Sequence, residues 1–174
     1  MGKNFRASLH DITTFVLDYD GVLTDGTVIL TLEGEALRTA NVKDGYAMQL
    51  AIKRGYRLVV ISGGNSQSTL RRLENLGLVD IHLGVENKQQ TYDELMDKYQ
   101  LRPEQVLYMG DDIPDMMPMQ KAGVATCPAD AAEEVKNICN YISHKDGGRG
   151  CVRDIIEQVM KVQKQWMNHD AFHW

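Results

Sequence analysis

Asp18 and Asp20 stand one residue apart at the end of the apolar run Phe15-Val16-Leu17, and a second acidic group, Asp111, Asp112 and Asp115, follows another apolar run that ends at Met109. On an extended backbone alternate side chains point the same way, so Asp18 and Asp20 can address one substrate or one metal ion. Two groups of carboxylates meeting at one edge repel unless a hard cation lies between them, and an all-oxygen donor set without His or Cys suits Mg²⁺. Asp18 and Asp111 are the best direct ligands. Asp20 offers its backbone carbonyl and keeps its side chain free, while Asp112 and Asp115 orient ligands or waters from behind. Ser62-Gly63-Gly64, opening a helix, supplies a hydroxyl and unhindered N–H groups, and Lys88 adds a point positive charge; phosphate is the natural guest. Asp18 could then attack phosphorus in line to form an aspartyl-phosphate, with Asp20 protonating the leaving alkoxide and later deprotonating water.

Taken singly, each cluster has a plainer explanation. A D-x-D can cap the next element, Ser62 can be an N-cap, Lys88 a solvated surface lysine, and Asp111 and its neighbours the acids that commonly start a helix. All of them, however, follow predicted strands, and that shared placement points to chemistry.

Those strands come from short apolar runs bounded by turn residues: Phe15 onward, 57–61, 80–83, 105–109, 124–127 and 141–142. Between them the spacing predicts helices over 45–54, 66–76, 88–99, on to Lys121 with Pro118 in its first turn, 131–139 and 151 to about 165. Thr27 to Leu32 and Glu35 to Asn41, joined at Glu33-Gly34, read as a hairpin flap, and the tail from Asn168 shows no period and is expected to be mobile. Strands alternating with helices call for a doubly wound α/β domain with a parallel sheet, in which the loops past the carboxyl ends of the strands open onto one edge.

At 174 residues, 43% hydrophobic and 25% charged, the chain suits a single domain, residues 1–174. A net charge of −5 without long runs argues against nucleic acid or an anionic membrane as partner. Cys127, Cys139 and Cys151 form no C-x-x-C pair, so reduced thiols and a cytoplasmic location are expected, and neither a leader nor a membrane helix is legible.

The motifs Asp18-x-Asp20-Gly21-Val22-x-Thr24-Asp25-Gly26, Ser62-Gly63, Lys88 and Gly110-Asp111-Asp112-x-x-Asp115 resemble the four ordered motifs of the haloacid dehalogenase superfamily of phosphatases. Gly34-Glu35, Asn41-Val42-Lys43-Asp44-Gly45 and Gly147-Gly148-Arg149-Gly150-x-Val152-Arg153 are similar to its capless subgroup, typified by 3-deoxy-D-manno-octulosonate 8-phosphate (KDO 8-phosphate) phosphatase. The resemblance implies a Rossmann-like core with Asp18 as nucleophile, Asp20 as acid and base, and Ser62 and Lys88 on the phosphoryl group. It also implies Mg²⁺ on Asp18, Asp20 and Asp111, and a homotetramer whose neighbouring subunit helps close an open site. Only 43 residues separate Asp18 from Ser62 and 21 separate Lys88 from Gly110, which leaves room for a flap but no cap domain.

The implied substrate is KDO 8-phosphate, in lipopolysaccharide precursor synthesis, bound through Asn41, Lys43, Asp44, Gly45, Gly63, Gly64, Arg72 and Arg149. Two positions depart from the subgroup's pattern, Gly64 and Gln49 standing where it has Arg. Each change removes a cation that could hold a sugar acid's carboxylate, which leaves a nine-carbon 2-keto sugar acid 9-phosphate of the KDN or N-acetylneuraminate type as the alternative. A receiver-like signalling domain, also doubly wound and acidic, would need its phospho-acceptor on a middle strand, where this chain has Ser62-Gly63. An inactive assembly subunit would not need Asp18, Asp20, Lys88 and Asp111 together.

Overall fold

The computed structural model describes residues 4–167 and 169–172. A six-stranded parallel sheet runs in the order β5-β4-β1-β6-β7-β8, from β1 (Thr14–Leu17), β4 (Arg57–Ile61), β5 (Asp80–His82), β6 (Val106–Met109), β7 (Val124–Cys127) and β8 (Tyr141–Ile142). The continuous apolar runs are explained by burial on both faces. Phe15 and Leu17, with Leu58, Val60, Leu107 and Met109, lie in one core cluster, whereas Val16, Val59, Ile61, Val106 and Tyr108 lie in the other.

Helices cover both faces. On the first, α2 (Val42–Lys53) packs against α7 (Cys151–Val162) through Ala47, Met48, Leu50 and Ala51 and the stripe Val152, Ile155, Ile156, Val159, with α3 (Gln67–Asn75) adding Leu73. On the second, α4 (Lys88–Tyr99) contributes Tyr92 and Leu95, α5 (Met116–Lys121) Met119, and α6 (Glu133–Lys136) Val135. Side-chain caps set three of these starts: Asn41 accepts from the N–H groups of Lys43 and Asp44, Ser66 from Thr69, and Asn87 from Gln90. The chain steps from β1 outward through β4 to β5, returns through α4, and proceeds to β6 on the other side of β1. The loops past β1, β4 and β6 therefore diverge at a topological switch point, where open α/β sheets bind ligands.

The flap is an antiparallel pair of two-residue strands, β2 (Ile29–Leu30) and β3 (Ala36–Leu37), shorter than the β-prone stretches suggest. Three further details differ from the sequence reading. A short helix α1 (Phe5–Ser8) precedes β1, capped by Asn4. The helix expected over 131–139 shrinks to α6, and a 3₁₀ turn, Ile113–Asp115, precedes α5, whose third residue is Pro118.

The tail makes contacts of its own. Trp166 is buried, a 3₁₀ turn spans His169–Phe172, Ala171 is buried, and the Tyr46 hydroxyl donates to the Ala171 carbonyl. Within the stretch expected to be mobile, Ala171 is buried, as a small apolar side chain favours; residues 168 and 173–174 lie outside the described set. Among the described residues no helix is long and apolar enough to cross a membrane.

Candidate active site

The Asp18 N–H continues the sheet by donating to the Met109 carbonyl at 3.0 Å, which fixes the residue at the carboxyl end of the central strand. Lys88, the first residue of α4, sends its Nζ to Asp18 Oδ1 and to Asp115 Oδ1, 2.8 Å each, with both Lys88 and Asp18 side chains only 8% exposed. Asp115 Oδ1 also accepts from the Tyr108 hydroxyl at 2.9 Å, so a β6 side chain helps orient the carboxylate that orients the lysine. Carboxylate oxygens of Asp18, Asp111 and Asp115 lie within 4.8 Å of one another.

One ammonium among three carboxylates leaves net negative charge in a poorly solvated place. Burial, with the charge of Asp115 adding to it, lifts the Asp18 carboxyl to about 6. Burial and then Asp18 lift Asp111 to about 8. Burial works against the Lys88 ammonium, but Asp18 and Asp115 outweigh it and raise its pKa. Asp111 Oδ1 and Asp115 Oδ2 are buried without a hydrogen-bond partner. Unpartnered, mutually repelling hard oxygens are the donor set that a divalent cation satisfies.

Close approach depends on Gly21, at φ +87°, where a Cβ would sit 2.0 Å from Asp111 Oδ2. The same loop is held by Thr24, fully buried, whose hydroxyl accepts from the N–H groups of Gly21 and Gly26 at 3.2 Å. Behind it lies the Gly147-Gly148 backbone. A Cβ on Gly147 would meet the Gly21 carbonyl, and the Gly148 N–H donates to the Val22 carbonyl at 2.9 Å.

Ser62 is buried past β4, and its hydroxyl accepts from the Gly64 N–H at 3.1 Å. Gly64 lies between this hydroxyl and Asp20: a Cβ there would be 3.4 Å from Ser62 Oγ and 2.9 Å from Asp20 Oδ2. The Asp20 carboxylate is taken by Arg38, from Nε to Oδ1 at 2.6 Å and from Nη2 to Oδ2 at 3.0 Å.

The structure thus brings Asp18, Asp20, Ser62, Gly63, Gly64, Lys88, Asp111 and Asp115 to one edge. The Asp115 carboxylate, expected to orient ligands from behind, clusters with those of Asp18 and Asp111, and the Asp20 side chain does not join them. Asp112 is exposed and caps the N–H of Ile113 at 2.8 Å; a three-residue 3₁₀ turn that ends at Asp115 turns only the latter inward. Asn41, Asp44, Gly45 and Arg72 serve helix ends. Asn41 caps α2 and donates to the Gly148 carbonyl, Arg72 Nη2 donates to the Asn41 carbonyl and abuts Gly45, and buried Asp44 accepts from the Arg153 N–H at 2.7 Å. Lys43 and Arg149 are exposed and line an open hollow with Lys145 and Arg153, Arg149 pairing with Asp25 at 3.1 Å.

Sequence reasoning overlooked Arg38, Thr24 as a loop staple, and Tyr108. Thr24 had a signal, its fixed place in the D-x-D-G-V-x-T stretch. Arg38 had none.

A haloacid dehalogenase-like hydrolase family model matches residues 28–123. Over 153 residues the chain is 34% identical to the 3-deoxy-D-manno-octulosonate 8-phosphate phosphatase KdsC of Salmonella typhi, covering 88% of this chain and 81% of that protein. The crystal structure of 3-deoxy-D-manno-octulosonate 8-phosphate phosphatase from Yersinia pestis superposes with a TM-score of 0.91 at 30% identity, covering 95% of this chain and 89% of that one. The enzyme of the same name from Moraxella catarrhalis, in complex with magnesium ion, phosphate ion and a KDO molecule, gives a TM-score of 0.90 at 31% identity over 98% and 97% of the two chains.

Proposed function

This chain belongs to the haloacid dehalogenase-like hydrolase family, and from that premise we propose that it is a Mg²⁺-dependent phosphomonoesterase that hydrolyses 3-deoxy-D-manno-octulosonate 8-phosphate through an aspartyl-phosphate on Asp18. The observation that carries the chemistry is Lys88 Nζ bridging Asp18 and Asp115 at 2.8 Å each, beside the unpartnered oxygens of Asp111 and Asp115. Asp18, the Asp20 backbone carbonyl and Asp111, with Asp115 close behind, would hold the Mg²⁺. Bound there, the ion supplies Lewis-acid charge neutralisation to the phosphoryl oxygens.

The chain's own groups do the rest. Lys88, the Ser62 hydroxyl and the N–H groups of Gly63 and Gly64 bind and orient the phosphoryl group against Asp18. Asp18 attacks phosphorus and the ester oxygen leaves, taking a proton from the Asp20 carboxyl. Asp20, now a carboxylate, takes a proton from the water that attacks the aspartyl-phosphate and restores Asp18. Tyr108 and Asp115 hold the Lys88 ammonium in place throughout. Family membership sets aside the receiver-like reading, and the substrate follows the relatives' names.

The working form is a homotetramer in the cytoplasm. Support for assembly comes from the flap, which exposes Val28, Ile29, Leu30, Leu32 and Leu37, with Leu32 as open as in an extended chain at 103%. A second copy covering the flap would also close a site that has no cap. The free cysteines Cys127, Cys139 and Cys151 fit a reducing compartment. Phosphate release from KDO 8-phosphate with and without Mg²⁺, alongside a panel of neutral hexose phosphates, tests the activity. A higher kcat/KM for the neutral sugars would overturn the substrate. A monomeric mass in solution at micromolar concentration with full activity would overturn the assembly.

A further inference from the structure

The flap sends one side chain into the site. Arg38, one residue past β3, engages both oxygens of Asp20 through Nε and Nη2, and its Nη1 donates to the Ala36 carbonyl at 2.9 Å. The side chain is only 13% exposed against 31% for its partner. A planar guanidinium on a carboxylate in this two-point geometry is among the stronger polar contacts available to a protein. It runs through space that residue 64, lacking a side chain, leaves open. A Cβ on Gly64 would lie 2.9 Å from Asp20 Oδ2 and 3.2 Å from Arg38 Nη2, inside the gap that the fork now spans.

The fork conflicts with the acid's task. Both Asp20 oxygens are committed to Arg38, yet a leaving-group oxygen must reach one of them before a proton can pass. The arriving ester therefore competes with the fork for the same two oxygens. The opened guanidinium stays near, because the Ala36 carbonyl and the hairpin hold it at the mouth, and it needs new acceptors in place of the carboxylate it lost. The leaving group is what enters beside it.

Building on the phosphatase reading, we propose that Arg38 is a specificity-determining residue that exchanges the Asp20 carboxylate for the hydroxyl and carboxylate oxygens of an oxygen-rich leaving group. Gly64 is the second half of the device, the vacancy that lets a flap cation reach the acid. An aryl or simple alkyl leaving group offers Arg38 nothing in return for the fork, so a polyhydroxylated acid is favoured over either.

Three esters separate the possibilities: KDO 8-phosphate, butyl phosphate and p-nitrophenyl phosphate, each with Arg38→Met, Gly64→Ala and the double variant. Arg38→Met is expected to lower kcat/KM for the sugar acid by about 10- to 100-fold, mostly through KM, and to change the other two by less than about threefold. Gly64→Ala, which wedges the fork while leaving the cation in the chain but also crowds the phosphoryl cradle, should lower kcat/KM for all three esters and for the sugar acid most, and the double variant should lose no more selectivity than the stronger single one. Equal losses for sugar acid and butyl phosphate with the aryl ester spared would mean that Arg38 acts only on the acid, and would overturn the proposal. Equal losses on all three esters, or none on any, would overturn it as well. A wild-type protein that cleaves none of the three would instead defeat the phosphatase reading, a result distinct from any of these.

Discussion

Lys88 reaches Asp18 from the first turn of α4, a helix anchored in the core by Tyr92 and Leu95, whereas Arg38 reaches Asp20 from a hairpin whose strands are two residues long. The two aspartates are neighbours but one apart, and both end up against a cation within 3 Å. Their surroundings differ. Asp18 is buried among like charges that push its pKa up, and its lysine is shared with Asp115 and cannot leave without stranding two carboxylates. Asp20 is partly open, and its arginine is carried by an element that exposes most of its own apolar residues. A rigid, overcrowded contact suits the phosphoryl chemistry that every substrate shares. A lightly held one suits the part of the substrate that varies.

The largest expected effect tests the rigid side. Asp18→Asn keeps the shape and removes the nucleophile, and kcat is expected to fall by at least about a thousandfold while circular dichroism stays unchanged. Lys88→Met should lower kcat/KM by about 10²- to 10⁴-fold, and equally for aryl, alkyl and sugar phosphates, since the phosphoryl group is common to all. A Lys88 loss confined to the sugar acid would collapse the distinction from Arg38. Asp20→Asn is expected to grade with the leaving group, costing about 10²-fold or more for alkyl esters and little for p-nitrophenyl phosphate, whose p-nitrophenolate departs without a proton.

Gly21→Ala sharpens the comparison from the metal side. A Cβ placed 2.0 Å from Asp111 Oδ2, on a residue at φ +87°, forces that carboxylate away, and the Mg²⁺ concentration for half-maximal activity should rise about tenfold or more.

The smallest effect uses Asp44 as a control for burial without a fitted cation. Its carboxyl is raised from 3.8 to about 6, by burial first, against the Arg153 N–H that lowers it. A carboxyl raised in the folded state binds more protons there than in the unfolded chain, so its contribution is complete below about pH 4 and is lost as pH rises through about 6. Urea unfolding between pH 4 and 7 should therefore show wild type losing about 1–3 kcal/mol relative to Asp44→Asn across that window. A difference that does not vary with pH would show that burial alone does not shift such a group in this protein.

Much of this arrangement was legible in the residues. Apolar runs such as Val106–Met109 and Val124–Cys127 announce strands buried on both faces, and α4 spans Lys88–Tyr99 as its spacing predicts. Because every acid, the Ser62 turn and Lys88 follow strands, the sheet's topology alone was enough to gather them at one edge. What the sequence left open were contacts whose partners lie far apart along the chain. Nothing in the string tells that the Gly147-Gly148 backbone lies against Gly21–Asp25 and braces the acid loop. Asp112 and Asp115 look equivalent in a string, but the turn between them spends the first on Ile113 and delivers the second to Lys88. Arg38 lies 18 residues from Asp20, on a flap with no periodic signal, and reaches it only across the space that Gly64 leaves open. Period and capping are local properties, set within a turn or a strand, and the sequence carries them directly. Which distant side chains share a volume is decided only when the whole core has packed, and that decision belongs to the tertiary structure.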